Sequence, residues 1–349
     1  MGGAGFVGSS IALSFKDEYP SSTVMAFDNL RRRGTELNLS LFREHGIEFI
    51  HGDIRCWDDM NDLPGNYDVL IEASAEPSVW AGLDGSPNYL LHTNLMGTLN
   101  SLAFARKRVG AFIFLSTSRV YSIAPLREIV MDEGPTRLEI VARQTLPGVY
   151  PRGISERFPT HLPRSLYGAS KLASEVVIQE YVDTYGMQAV INRCGVIAGP
   201  GQFGRVDQGV FTLWVAHHLF RKRLTYTGFG GMGKQVRDVL HPRDLYSLIR
   251  KQLERIDRAS GGVFNVGGGR PVSTSLCELT ALCEDIVGYS VPIDREPETS
   301  PVDIPLYISD TAQAETMFSW RPERSVREIA EDIAGWSRAN ESLLRPVLG

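Results

Sequence analysis

Tyr167 and Lys171 stand four residues apart in RSLYGASK, residues 164–171. On a helix, side chains at i and i+4 share one face. A phenol ionises near pH 10, roughly three units above neutrality, and an ammonium held beside it favours the phenolate. The pair is therefore a proton-transfer device in outline, although a surface tyrosine beside a surface lysine satisfies the same spacing. Two other stretches carry reactive or binding groups. SerThrSerArgValTyr, 116–121, places hydroxyls after the apolar run AlaPheIlePheLeu, 111–115, at a strand end where open α/β sheets bind ligands. The glycine-rich stretch 228–238 carries Lys234, Gln235 and Arg237, donors suited to anionic phosphates.

These groups need a scaffold, and the N-terminal half predicts one. Residues 2–8, GlyGlyAlaGlyPheValGly, form a G-x-x-G-x-x-G loop that runs into a helix from Ser9 to about Glu18. Glycines let the backbone approach a pyrophosphate, which then sits on the helix N-terminus. About twenty residues on, the apolar run ThrValMetAlaPhe ends in Asp28 and Asn29. A carboxylate there suits an adenosine ribose and repels a 2′-phosphate, so NAD is expected over NADP despite Arg31, Arg32 and Arg33 nearby. Strand IleGluPheIleHis leads to Gly52, Asp53 and Ile54, with Asp53 in reach of an adenine amino group. Strand 68–72 is followed by AlaSerAlaGluPro, whose small residues, starting at Ala73, let backbone pass close to the cofactor. A long helix from about 87 to 108 contains Asn94, unfavourable in mid-helix and so expected to have a specific partner.

Alternation of strands and helices gives a doubly wound parallel sheet of the Rossmann type over residues 1–195. One feature is out of pattern. A Rossmann unit has an apolar strand before its glycine loop, and here Met1 precedes Gly2 directly. The expectation is that the natural chain starts about six to ten residues earlier. If the form starting at Met1 folds, retains NAD and turns over as well as an extended one, that expectation fails.

Residues 122–164 lack periodicity and return directly into Tyr167, so they read as a substrate lid. Residues 196–349 form a smaller α/β substrate lobe interleaved with the first. It holds AspGlnGly at 207–209, a helix 210–220 bearing Trp214, His217 and His218, and the strand LeuThrTyrThr. Adjacent histidines point to different faces and read as structural. The four cysteines are scattered without a CxxC pair, so neither zinc nor a disulfide framework is expected, and no other metal site is. A net charge of −5 supplies no basic excess for nucleic acid. No apolar run is long enough for a bilayer and no signal peptide is visible, which fits a cytoplasmic protein.

Taken together, GGAGFVG, FDN, HGDI, the Asn of NLMGT, STSRVY, YGASK and GKQVRDVLHPRDL resemble the extended short-chain dehydrogenase/reductases, specifically their NAD-dependent nucleotide-sugar epimerases and dehydratases. The resemblance spans nearly the whole chain. Within the family, DNLRRRG, the long segment before YGASK, VDQGV ahead of the Trp-bearing helix, and GKQVRDVLH are similar to CDP-paratose (CDP-tyvelose) 2-epimerases.

The resemblance implies roles. Gly2, Gly5, Phe6, Val7 and Gly8 belong to the pyrophosphate loop, Asp28 and Asn29 to the ribose, Asp53 and Ile54 to the adenine. Ala73 and Asn94 also fall on the cofactor side. Tyr167 is the acid/base, Lys171 its partner on the nicotinamide ribose, and Thr117 the catalytic hydroxyl. Ser118, Gln208, Tyr226, Gln235 and Arg237 fall to the sugar nucleotide, Arg237 to its diphosphate. Dehydratases of the family carry Asp-Glu after the hydroxyl; Ser118 and Arg119 stand here, so dehydration lacks its acid and base. Two phosphate-binding positions of the family are also altered, to Val196 and Ser300, with Lys234, Arg137 or Arg164 as replacements for the lost charge. The implied activity is epimerisation of a nucleotide-activated hexose through a transient keto sugar. A 4-epimerase or reductase of a UDP- or GDP-sugar, or a non-catalytic NAD-binding regulator, are the alternatives. The family commonly dimerises through helices placed here near 87–108 and 167–185.

Overall fold

Strand Val109–Thr117 is the spine of the molecule, and residues 111–117 of it are all buried. A parallel strand covered on both faces needs a continuous apolar run, which AFIFL provides. Phe112 and Phe114 pack with Leu102, Phe104 and Ile178; Ile113 and Leu115 pack on the other face with Ile11, Leu245 and Phe264. Burying each such side chain contributes about 1.5–3 kcal/mol. Tyr67–Glu72 pairs on one side and Ala189–Cys194 on the other, both parallel, with Val263–Val266 outside the latter. The register sets Thr117 opposite Cys194. This computed structural model describes residues 1–83, 85–204 and 209–348.

The expected sheet is present in two pieces. Met25–Asp28 and Glu48–His51 form a separate parallel pair. The chain's first residues lie between the pieces. The Met1 amine donates to the Ile71 carbonyl (2.8 Å), the Ala73 N–H to the Met1 carbonyl (3.1 Å), and the Gly3 N–H to the Phe27 carbonyl (3.0 Å). Residues 1–3 thus bridge the two pieces at the ligand-binding edge, and the Met1 side chain packs with the cluster containing Phe27 and Leu70.

Helix Leu166–Tyr185 begins earlier than its apolar pattern suggests, because Ser165 caps it, its hydroxyl accepting from the Gly168 N–H (3.2 Å). Gly186, left-handed at φ 64°, ends it. Its buried face carries Gly168, Ser170, Lys171, Ser174, Glu175 and Ile178. A side chain at 168 would overlap the Arg119 carbonyl, which is why a glycine follows Tyr167. The long helix before the spine is α over Asn88–Leu91, widens to a π turn over His92–Met96, and resumes over Gly97–Arg108. Asn94 sits in the widened turn, a feature frequent at functional sites.

In the second lobe Val236–Leu240 is central. It pairs in parallel with Val196–Ile197 and Leu306–Tyr307, and antiparallel with Ser273–Ser275. The sequence reading took 228–238 as one glycine loop; its last residues, Val236, Arg237 and Asp238, are strand. Leu224–Thr227 and Ile293–Glu296 form a further parallel pair. Helices Val210–Leu219, Leu276–Val287 and Val326–Ala339 close around Trp214, Leu279 and Ile333.

Segment 122–164, read as a lid, is built differently. It holds helix Ile123–Arg127 and two small hairpins. Leu126, Ile129, Ile140 and Phe158 share a core with Val236, Ile304 and Leu306. Its apolar residues are spent on that core, and none of its residues lines the main cleft.

Candidate active site

A cleft of about 770 Å³ opens between the lobes. Gly2, Gly5, Phe6, Val7, Gly8 and Ala73 line one wall, Thr117, Ser118, Tyr167 and Lys171 the floor, and Trp214, Gln235 and Arg237 the other wall. Sequence positions far apart thus converge because the glycine loop, the spine and the tyrosine helix all end at one sheet edge.

Thr117 ends the spine and its hydroxyl accepts from the Arg119 N–H (3.2 Å). Burial pushes the Tyr167 phenol up to about 12, and the Thr117 hydroxyl beside it acts to lower that value. Arg119 acts in the same direction as Thr117. Lys171 is buried, its ammonium 4.3 Å from the Phe114 ring centroid. Burial brings it down to about 8, against the pull of Glu72, Cys194 and Glu175. Those neighbours were not anticipated from the sequence. Glu175 takes the Arg193 guanidinium on both oxygens (2.7 Å for the shortest contact) and accepts the Ser116 hydroxyl. Arg193 also donates to the Tyr121 hydroxyl (3.3 Å), which donates to Asn265 (2.6 Å). The signal available was an arginine inside the apolar strand AlaValIleAsnArg and an acid on the buried face of the tyrosine helix.

Asn94 has the specific partners its position called for. Its amide donates to Ser170 Oγ and the Glu76 carbonyl, both at 3.1 Å, and its oxygen accepts from the Glu76 N–H (2.8 Å). It fastens the Ala73–Pro77 stretch to the tyrosine helix and does not line the cleft. Asp28 accepts from the Ala4 N–H (3.1 Å) and the Leu30 N–H (2.8 Å), holding the glycine loop to its strand end. Asn29 donates to Asp53 (3.1 Å). Asp53 is drawn down to about 2, chiefly by the Arg55 hydrogen bonds, with burial opposing. Ile54 is buried against Gly97. Of the arginine run, Arg31 lies over Tyr89 at 4.0 Å, and Arg32 reaches Phe203 of the other lobe (3.3 Å).

On the substrate side, Ser118, Gln235 and Arg237 line the cleft. Gln235 donates to the Thr227 carbonyl (3.1 Å). Tyr226 does not line it: the ring stacks behind Trp214 (centroids 5.7 Å apart) and the hydroxyl bonds Thr280 (2.8 Å), so Trp214 presents the face expected of Tyr226. Gln208 lies outside the described residues. Arg237 donates to Asp303 (3.0 Å) and the Ile304 carbonyl (2.6 Å). Val196 and Ser300 both line the cleft, as uncharged as the sequence has them. His218 is buried and bonds the Trp214 carbonyl (2.8 Å).

The glycine cradle fits a dinucleotide. Gly2 has φ 66° and Gly8 packs so closely on the Gly2 carbonyl that any side chain there would overlap it. The helix that follows, Phe6–Glu18, has no acidic residue in its first turn, so its unpaired N–H groups face the cleft free of competing carboxylates.

Residues 1–267 match the NAD dependent epimerase/dehydratase family. Among curated relatives, CDP-paratose 2-epimerase of Salmonella typhi is 30% identical, covering 96% of this chain and 97% of its own. A dTDP-glucose 4,6-dehydratase of Mycobacterium tuberculosis is 28% identical, covering 99% and 94%. Among solved structures, a double mutant of DesIV, a dTDP-glucose 4,6-dehydratase from Streptomyces venezuelae crystallised with NAD, superposes with a TM-score of 0.78 at 26% identity, covering 99% and 98%. No helix among the described residues is long and apolar enough to cross a membrane.

Proposed function

We infer that this chain, a member of the NAD-dependent epimerase/dehydratase family of nucleotide-sugar enzymes, epimerises the hexose of a CDP-sugar, and that C2 is the carbon inverted. The observation that carries this reading is local. Thr117, Tyr167 and Lys171 meet on the cleft floor, while the two residues after Thr117 are Ser118 and Arg119. A redox epimerisation needs the first set. Removal of water needs an acid and a base where Ser118 and Arg119 stand. Similarity along nearly the full length to a CDP-paratose 2-epimerase supports the nucleotide and the carbon.

Bound NAD supplies hydride acceptance and return at one carbon of the sugar. The glycine loop would hold its pyrophosphate, Asp28 and Asn29 the adenosine ribose and Asp53 the adenine side, and Lys171 would serve the nicotinamide ribose. Tyr167, as phenolate, takes the proton of the sugar hydroxyl and later returns it. Thr117 bonds the same oxygen and steadies the developing carbonyl. Burial holds the phenol at about 12, and cationic charge brought beside it favours the phenolate. Arg237 would keep the nucleotide anchored while the sugar presents its other face. Self-association is assigned to the two long helices, on which Met96 and Val176 are exposed.

The test is a panel of CDP-, UDP- and GDP-sugars incubated with the protein in deuterated water and followed by NMR. Inversion at C2 of a CDP-hexose without solvent deuterium is expected. Deuterium at the inverted carbon overturns the hydride route; inversion at C4 of a UDP- or GDP-sugar overturns the substrate.

A further inference from the structure

Among the described residues, Arg119, Arg223 and Arg237 line the substrate side of the cleft. Arg223 is paired with Asp294 (2.6 Å), and the other two are served unequally. Arg237 spends its donors on Asp303, the Ile304 carbonyl and the Val236 carbonyl. Arg119 spends one N–H, on the Val302 carbonyl at 3.3 Å. A guanidinium carries five N–H donors, so most of Arg119 is uncommitted. Asp303 offsets both cations, and Asp238 offsets Arg237 as well. Arg237 is thus served by two carboxylates, while Arg119 keeps most of its donors in a cleft where an unpaired ion is costly. An anion would complete its set.

Its place is defined. Arg119 follows Thr117 by two residues on the turn Ser118–Val120, and its backbone carbonyl rests on the tyrosine helix at Gly168. Its backbone N–H donates to Thr117, and its guanidinium takes the Val302 carbonyl, next to the Asp303 that Arg237 takes. It therefore links the proton-transfer residues to the diphosphate arginine. The other candidates for that charge are engaged elsewhere. Lys234 pairs with Glu133 (2.8 Å), Arg137 with Glu139 (2.7 Å) and Ser273, and Arg164 with the Thr160 and Leu162 carbonyls; none of the three lines the cleft.

We propose that Arg119 binds the non-bridging oxygens of the phosphoryl group joined to the sugar, supplying the charge absent at Ser300 and a phosphate contact absent at Val196. This rests on the nucleotide-sugar reading above. A phosphate clamp then occupies the second of the two positions at which a dehydratase carries its Asp-Glu pair.

The experiment is calorimetric titration of the NAD-loaded protein, its R119Q variant and its R119K variant with CDP and CMP, and with UDP-glucose and UDP-glucuronate. Of CDP and CMP, only CDP carries a phosphoryl group at the sugar-side position. Loss of charge-assisted hydrogen bonds predicts CDP binding weakened about ten- to a hundredfold in R119Q, CMP binding changed less than twofold, and partial recovery in R119K. Equal effects on CDP and CMP, or none on either, overturn the proposal. So does unchanged CDP binding with lost preference between the two UDP-sugars, which puts the guanidinium on a sugar group. If R119Q does not retain NAD or fold, R119K decides alone: CDP weakened several-fold with CMP spared supports the assignment, and equal affinities overturn it. A wild-type protein that binds no nucleoside diphosphate defeats the nucleotide-sugar reading itself, a separate result.

Discussion

Beneath the Tyr167 end of the cleft, side chains hydrogen-bond one another in a chain; at the Arg237 end, Arg119 and Arg237 lean on one short loop, residues 302–304. In the first, Ser116 bonds Glu175, Glu175 holds Arg193, and Arg193 and Asn265 hold Tyr121. The second end relies on backbone carbonyls of residues 302 and 304 and on Asp303. The difference follows from what each end must do. Proton transfer needs atoms held within tenths of an ångström, and on the proposed reading the network beneath Tyr167 and Lys171 serves that need. A diphosphate would bring its own charge and oxygens, for which Arg119 keeps donors unspent.

The comparison can be broken most sharply at Tyr167. Tyr167→Phe removes the phenol that moves the proton. Turnover should fall about a hundredfold to ten-thousandfold, while copurified NAD, measured by absorbance after denaturation, is retained. A variant within a few-fold of the normal rate would take the chemistry away from this end.

Lys171 offers a second test, of stability. Its pKa falls from 10.5 to about 8 in the fold, so the folded chain holds this proton less tightly than the unfolded one does. Below pH 8 both states are protonated and the buried ammonium costs its full amount, roughly 3 kcal/mol. From pH 8 to 10.5 the folded state loses the proton first and stability climbs. Lys171→Met should therefore be more stable than the natural chain at pH 7 by about that amount, with the gap closing by pH 10.5, as read from urea midpoints, while activity is lost. A gap that does not close with pH would mean the network carries no such cost.

The smallest effect is expected at the phosphate end. Ser300→Arg adds a cation to the cleft wall, and a part-exposed charge contributes about 0.5–1 kcal/mol. A two- to fivefold lower KM for the nucleotide sugar is expected, with kcat unchanged. If KM rises instead, the two existing arginines already saturate the diphosphate.

The asymmetry also governs what could be read from the sequence. Groups close along the chain were legible. RSLYGASK, the glycine loop and the Thr117 turn lie where expected because each is a local backbone solution, with a cap at Ser165 and no room for a side chain at Gly8 or Gly168. The parallel sheet followed from apolar runs bounded by turns. What was missed lies in pairings across distance. Glu175 meets Arg193 only because helix and strand pack, Trp214 covers Tyr226 because two lobe elements stack, and the meaning of Arg119 depends on residues 302 and 303. The insert was misread for a related reason. Its apolar residues, scattered without period, find their partners on strands more than seventy residues away.

That insert has a consequence beyond packing. Arg127, at its first helix, donates to the carbonyls of Ser300, Pro301 and Asp303. The same short loop presents the Val302 carbonyl to Arg119 and the Asp303 carboxylate to Arg237. A change of length or sequence in the insert is thus transmitted to the phosphate grip without touching Thr117, Tyr167 or Lys171. The segment is an exchangeable adaptor: swapping it between relatives should alter which nucleotide is retained while leaving the reaction at the sugar carbon the same.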